Sequence, residues 1–544
     1  MPVPHAAALI AELHALVELQ GGDARASEVA AAVKELEREG ECALLDRLRE
    51  STPEGLFEML RIPGLGASRI RRAHLGLGID SLQSFEVAAR DGRLATLPRF
   101  GAATAKQVIR GITALRESGR PLLLPHARAE AERLLAMVRA HPHVVRAEIA
   151  GDVRRCCEVV RDLDIVAACR GEPARVAAHF ARAPGVRDAI GTGSRRVAIR
   201  FHDGTRLALH CVADHDFIVA WWRATGSASH VTEVVAHAAG FGFRLTDLFV
   251  DASGLPVPLA DEAAIYRSIG LDPLPPELRE GLGEVRAATV HTLPTLLTLG
   301  DLRGVLHCHS QYSDGGTSID VLVEDARRRG WSYLGISDHS QSAFYTGGLN
   351  AESLHRQHDE IDALNARLTG FRVLKGIEAD ILPDGRVEYP SRALDRFDYV
   401  IASVHSRFGM NAEQMTERVL RALDDPFVTI LGHPTGRLLL TREAYALDID
   451  AVLEKAGAVG VAVELNADPH RLDIDWRHLR TAHRHGALIE IGPDAHSVSG
   501  LDNVSLGVDV ARKGWITATD VLNARDADGV LAFSRARRVA AGAR

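Results

Sequence analysis

Apolar positions along the chain change their period twice. Up to about residue 58 they recur every three or four positions, which predicts amphipathic helices. Two similar units follow, LRIPGLGASRI at 60–70 and LPRFGAATAKQV at 97–108. Each is an apolar residue, a Pro and a Gly-containing turn that opens a helix. From about 145 the text becomes strand-like, in VVRAEIAG, LDIVAAC, RVAIRF and RLALHCV, with turns such as HDG between. Helices return at 216–240, and the Pro-rich stretch 266–299 reads as a connector. From 300 onward the short apolar runs GVLHCH, YLGISDH, FRVLKGIEAD, YVIASVH, VTILGH, GVAVELN and LIEIGPDAH alternate with helical stretches. This alternation predicts a parallel barrel or an open α/β sheet, with active residues at the C-terminal ends of the strands.

Composition narrows the class. Of 544 residues, 46% are apolar and 25% charged, an ordinary globular mix. The six cysteines are too few and scattered for a secreted disulfide framework, so a reducing cytoplasm is expected. The N-terminus carries Glu12 and Glu18 and reads as a helix, not a signal peptide. No apolar run is long enough to span a membrane. A net charge of −8 argues against non-specific nucleic-acid binding by the whole chain, though not against a local basic face.

The candidate chemistry lies at the strand ends. The first run ends in His307 and His309, with Asp314 after it. The second ends in His339, the third in Glu378, the fourth in His405, the fifth in His433, and the seventh in Asp494 and His496. Residues two apart on a strand share a face, which pairs His307 with His309 and Asp494 with His496. His355, His358, His478, His483 and His485 fall in helical stretches and are expected on the surface. Nine ligand-type groups exceed what one ion can use, so two or three ions are expected. His and carboxylate ligands suit Zn, Mn or Fe. Such clusters suit phosphate-ester hydrolysis.

HCHSQYSDG, GISDHS, GIEADILPDG, SVHSRF, GHPTGR, ELNADPHRLD and GPDAHS, in this order, resemble the PHP (polymerase and histidinol phosphatase) domain of bacterial family X DNA polymerases. The resemblance implies a multidomain α + α/β chain: a shortened helical domain (1–58), a helix-hairpin-helix region (59–125), a nucleotidyltransferase-like palm and thumb (126–265), the linker (266–299) and a distorted (β/α)7 PHP barrel (300–544). It also implies three divalent ions, with Mn²⁺ first and Zn²⁺ or Fe as alternatives. One would be held by His307, His309, Glu378 and Asp494, a second by Glu378, His405 and His433, and a third by Asp314, His339 and His496. His307, His309, Glu378, His405 and Asp494 would carry the hydrolysis. Arg407 and Arg437, each just after a ligand, are candidate phosphate contacts. Gly64, Gly66 and Arg69 of the first hairpin unit are candidate DNA contacts.

The segment AGDVRRCCEVVRDLDIV (150–166) resembles the family's nucleotidyltransferase motif. Asp162 and Asp164 stand where the family keeps two metal-binding carboxylates, but Ala208 stands at the third. Asp152 replaces a Ser, Arg161 a Gly, Val231 an Asn and Val235 an Arg. Asp162, Asp164 and Arg155 therefore read as vestiges of a polymerase site, with Mg²⁺ there only if that site works. Lys34 is the one Lys before 106 and reads as a solvated helix residue. The expected function is a monomeric, metal-dependent 3′–5′ exonuclease for DNA 3′ ends, gaps or abasic sites in repair. Apurinic endonuclease or 3′-end processing would be further activities. The alternatives are an active gap-filling polymerase/exonuclease and a small-molecule phosphatase of the histidinol-phosphatase type.

Overall fold

The structure is a computed structural model. It describes residues 6–19, 26–39, 42, 44–45, 48, 56, 59–60, 62, 65–98, 100–117, 121–191, 195–341, 348–540 and 542. The N-terminal helices Ala6–Leu19, Ala26–Glu39, Ala67–Leu77, Leu82–Arg90 and Ala102–Glu117 pack around an apolar core of their own, from Leu13 to Ile112.

The first five-stranded sheet has the order Val144–Ala150, Leu163–Cys169, Arg206–Ala213, Arg196–Phe201, Val186–Ile190. Leu163–Cys169 and Arg206–Ala213 run parallel, and the other pairs are antiparallel. Strand alternation gives the sheet two distinct faces. Leu207, Leu209 and Cys211 point to the helices Leu124–Arg139 and Pro173–Phe180, while Val166, Ala168 and Val212 meet the helix Phe217–Thr225.

The stretch 266–299, read as a connector, is packed along its length. Glu284 is fully buried, faces His230 Nδ1 at 2.8 Å and accepts from Gly281 N and Leu282 N. Leu297 N donates to Ile516 O at 2.9 Å. A buried carboxylate with its acceptors satisfied holds a segment that its Pro content alone does not explain.

In the C-terminal half, Gly304–Val305, Tyr333–Ile336 and Arg372–Lys375 form one parallel sheet. Glu378–Asp380, Ile401–Ser403, Ile430–Leu431, Ala462–Asn466 and Ile489–Gly492 form a second. The bridges His339–Glu378 and Cys308–Ala495 join the sheets at both ends, so the strands run round a circuit. These runs are apolar on both faces because one side packs on helices and the other on the circuit's interior. Leu306, Tyr333, Leu374, Tyr399, Ile401 and Ile430 fill that interior. The buried Tyr399 ring occupies room left by two glycines. A Cβ at Gly335 would collide with its hydroxyl, and one at Gly376 with its ring.

One continuous apolar cluster runs from Leu124 and Leu209 on the palm side to Val508 and Val521 on the PHP side. Ion pairs Arg128–Asp509 (2.7 Å) and Arg512–Glu277 (2.8 Å) rim the same junction. Among the described residues no helix is long and apolar enough to cross a membrane.

Candidate metal centre

His307 and His309 leave the first strand of the circuit side by side, pinned to the last strand where His309 N donates to Ala495 O at 2.9 Å. The following turn delivers Asp314. It is organised by Asp338, which is buried and accepts from Ser310 N (2.7 Å), Ser310 Oγ (2.6 Å) and Gln357 Nε2 (2.5 Å). Glu378 is buried at the centre. Its Oε1 lies 2.9 Å from His433 Nε2 and 3.1 Å from His405 Nε2. Its Oε2 lies 2.9 Å from His339 Nδ1, 3.4 Å from His307 Nε2 and 3.7 Å from His309 Nε2. Asp494 Oδ1 is 3.2 Å from His309 Nε2 and 3.6 Å from His307 Nε2. Asp314 Oδ2 is 3.5 Å from His339 Nε2 and 3.4 Å from His496 Nε2.

All nine strand-end residues thus meet in one place. Three overlapping sets have the proximity a metal ion needs: His309, Asp314, His339 and His496; His307, His309 and Glu378; His339, Glu378 and His405. The donor set fits divalent cations on a second count. His307 Nε2, His309 Nδ1 and His433 Nδ1 are buried without a hydrogen-bond partner. Buried polar atoms of this kind need a partner of some sort.

Carboxylates behind the cluster aim its histidines. Glu464 Oε1 lies 2.6 Å from His307 Nδ1, and Asp380 Oδ1 lies 2.6 Å from His405 Nδ1. That arrangement fixes the ring orientation and leaves the other nitrogen facing inward. Burial raises the carboxyl of Glu378, but His405, His307 and His339 outweigh it and hold the group well below its usual range. Burial opposes protonation of His405 and His339, yet Glu378 leads the carboxylates that push them up, to about 10 and about 9. At His496 burial is outweighed by Asp314 and Asp494, giving about 9. Burial and His339 push His309 down to about 3, and burial and Arg471 push His433 down to about 4. The cluster is a charge-balanced set in which protons occupy places that cations can take.

The arginines sort differently from the expectation. Arg437 is not available to a phosphate. Its guanidinium pairs with Asp475 Oδ2 (2.7 Å) and Glu158 Oε1 (3.0 Å) and donates to the carbonyls of Arg471 (3.0 Å) and Leu472. Arg407 follows His405 at a positive φ of 62° and is half-buried. Arg471, missed from the sequence, is the arginine that reaches the cluster, with Nε 3.5 Å from Asp494 Oδ2. It follows the sixth strand, which ends in Asn466 rather than in a ligand. Glu464 and Asp380 were missed too, although each sits two residues from a recognised or polar strand position and so shares its face. His358, expected on the surface, is buried edge-on against Phe397.

In the hairpin region Gly66 caps the helix Ala67–Leu77 in extended backbone, with open space where a Cβ would stand. Arg69 is half-buried on that helix. Gly64 lies outside the described residues. In the palm, Asp164 pairs in register with the buried Ala208. Arg206 and His210 flank Ala208 on the same face. Arg206 Nε lies 2.7 Å from Asp162 Oδ1, and His210 Nε2 lies 3.3 Å from Asp164 Oδ1. Arg155 is buried, pairing with Asp152 (2.5 Å) and Glu280 (2.9 Å) and donating to Thr225 O (2.7 Å).

Comparison with known proteins agrees with this division. Family models match the chain as "SAM-like Helix-hairpin-helix tandem" at 57–113, "DNA polymerase beta thumb" at 220–280 and "PHP domain" at 306–468. The chain is 36% identical over 508 residues to the DNA polymerase/3′-5′ exonuclease PolX of Bacillus subtilis, covering 92% of this chain and 88% of that protein. It is 30% identical over 178 residues to a probable phosphatase of Caldanaerobacter subterraneus, covering 30% of this chain and 63% of the relative. It is 27% identical over 234 residues to a probable phosphatase of Syntrophotalea carbinolica, covering 40% of this chain and 90% of the relative.

Proposed function

Because the chain belongs to the bacterial family X DNA polymerases that carry a C-terminal PHP domain, we propose that it is a metal-dependent nuclease that trims DNA 3′ ends, with a palm and thumb that hold DNA without extending it. The observation that carries this reading is the convergence of the nine strand-end residues on one site with Glu378 at its centre, where buried imidazole nitrogens such as His307 Nε2 have no hydrogen-bond partner. We assign His307, His309, Glu378 and Asp494 to one ion, Glu378, His405 and His433 to a second, and Asp314, His339 and His496 to a third, with Mn²⁺ the expected metal. Bound there, such ions supply a nucleophilic water at neutral pH and neutralise charge on the phosphoryl oxygens. The chain's own groups do the rest. Glu464 and Asp380 hold His307 and His405 in the tautomer that leaves Nε2 inward. Arg471, beside Asp494, is placed to pair with a phosphate oxygen, and Arg407 stands beside His405 in the same role. His496 is the most exposed imidazole of the set.

The loss of synthesis is supported by the palm. Two-metal nucleotidyl transfer needs clustered carboxylates. Here Ala208 offers a methyl group, Arg206 pairs with Asp162, and His210 lies against Asp164. The hairpin region favours DNA over a small phosphate ester, since backbone N–H groups at the open helix start of Gly66 suit a phosphate backbone. A repair role rests on family analogy. The test is a 5′-labelled primer on a longer template with Mn²⁺, with and without dNTPs. Shortening in both lanes without extension is expected. An untouched primer together with hydrolysis of histidinol phosphate would overturn the reading.

A further inference from the structure

We infer that Glu158, a palm residue, is a positioning residue for the PHP site, acting through Arg437 on Arg471. The proposal rests on the nuclease reading for its kinetic arm only.

The chain of contacts is short and mostly buried. Glu158 lies just before the short palm strand Val159–Val160 and is buried. Its Oε1 takes a hydrogen bond from Arg437 at 3.0 Å. Arg437 stands four residues after the ligand His433, and Asp475 holds it from the other side at 2.7 Å. The remaining donors of that guanidinium go to two consecutive backbone carbonyls, Arg471 O at 3.0 Å and Leu472 O. Leu472 sits at a φ of 41°, a left-handed conformation that a leucine resists. A strained residue persists only where its surroundings over-determine it. Arg437 supplies that constraint, and the result is that Arg471 presents Nε 3.5 Å from Asp494. The turn is closed by Arg471 N and Leu472 N, each donating to Asp468 O at 2.9 Å.

Arg128–Asp509, at 2.7 Å, joins the same two halves but touches no residue of the 466–473 turn. A palm that no longer makes DNA would therefore keep a second role, which is to fix the arginine that faces the phosphate. Glu158 and Arg437 are 279 residues apart, so nothing in the local sequence announces the link.

The test uses the full chain and five variants. Glu158→Ala should lower kcat on 5′-labelled DNA with Mn²⁺ about tenfold, the scale that a displaced charge-stabilising group commands. Glu158→Gln keeps an acceptor for Arg437 and should stay within about twofold of the unaltered protein. Arg128→Gln should do the same. In an Arg471→Ala background, Glu158→Ala should add no further loss, because the route ends at that guanidinium. Amide exchange over 468–473 should rise in Glu158→Ala and not in Arg128→Gln. Equal losses in the two backgrounds, or unchanged exchange in Glu158→Ala, would overturn the proposal. A protein that exchanges as expected but leaves DNA intact would refute the nuclease reading instead.

Discussion

Loading divalent ions into the metal-free protein should release protons, and the groupings give the count. His339 and His496 both face Asp314 and are raised to about 9, while His405, facing Glu378 and Asp380, is raised to about 10. The sign is fixed by comparison with the ordinary histidine value. A folded pKa above it means protonation that stabilises the metal-free fold fully below about pH 6.5 and is lost as pH rises through 9 to 10. Metal ligation needs neutral imidazole, so cations and protons compete. His309 and His433, pushed down to about 3 and about 4, are already neutral and contribute nothing. At pH 8 the Asp314 grouping should release roughly two protons per ion, and its apparent affinity should climb about a hundredfold per pH unit until near pH 9. His405, and His307, which burial lowers but Glu464 and Asp494 hold well above the usual range, each add about one proton to their groupings. Metal titration calorimetry in two buffers of different protonation enthalpy, at pH 7 and 8, reads the count. A release near zero, or an affinity flat in pH, would refute the account of a cation-for-proton exchange.

Three further outcomes are expected. His405→Ala combined with Asp494→Ala removes a ligand from separate groupings, so metal-dependent hydrolysis should fall to background; an unchanged rate would sink the ligand assignment. Ala208→Asp alone should not restore nucleotide addition, because Arg206 and His210 still occupy Asp162 and Asp164. Primer extension by that single variant would show the ion pairs to be no block. Gly335→Ala should destabilise the PHP half by about 1–3 kcal/mol through overpacking on Tyr399, and Tyr399→Phe should recover part of the fall in melting temperature. A melt unchanged by Gly335→Ala would refute the tight packing there.

The meeting of the strand-end residues was legible because a parallel sheet delivers its C-terminal ends to one place, so a His at the end of an apolar run has a predictable destination. The residues behind them were harder. Glu464 lies inside a strand as one polar letter in an apolar run, and its worth depends on His307, a residue far off in the chain. Arg437 stands close to His433 in sequence, but a positive φ at Gly436 and the Glu158 contact turn its guanidinium toward Glu158 and Asp475. The stretch 266–299 looked loose because Pro and Gly are visible locally, while the burial of Glu284 against His230 depends on a helix tens of residues earlier. The palm was readable in part. Ala208 stood out, but the contacts of Arg206 with Asp162 and of His210 with Asp164 emerge only when the strand register is known.

The apolar cluster that crosses from Leu124 to Val521 bears on how the chain comes apart. Ancestry divides this region into palm, thumb and barrel, but cooperativity follows shared burial rather than ancestry. The hairpin region, with its separate core, is free to melt as a foldon of its own. Palm and barrel are not. Cutting the chain near residue 300 would strip a common interior from both fragments, leaving each with bare apolar surface. A fragment that keeps this shared interior intact is one that begins at the helix that opens with Leu124.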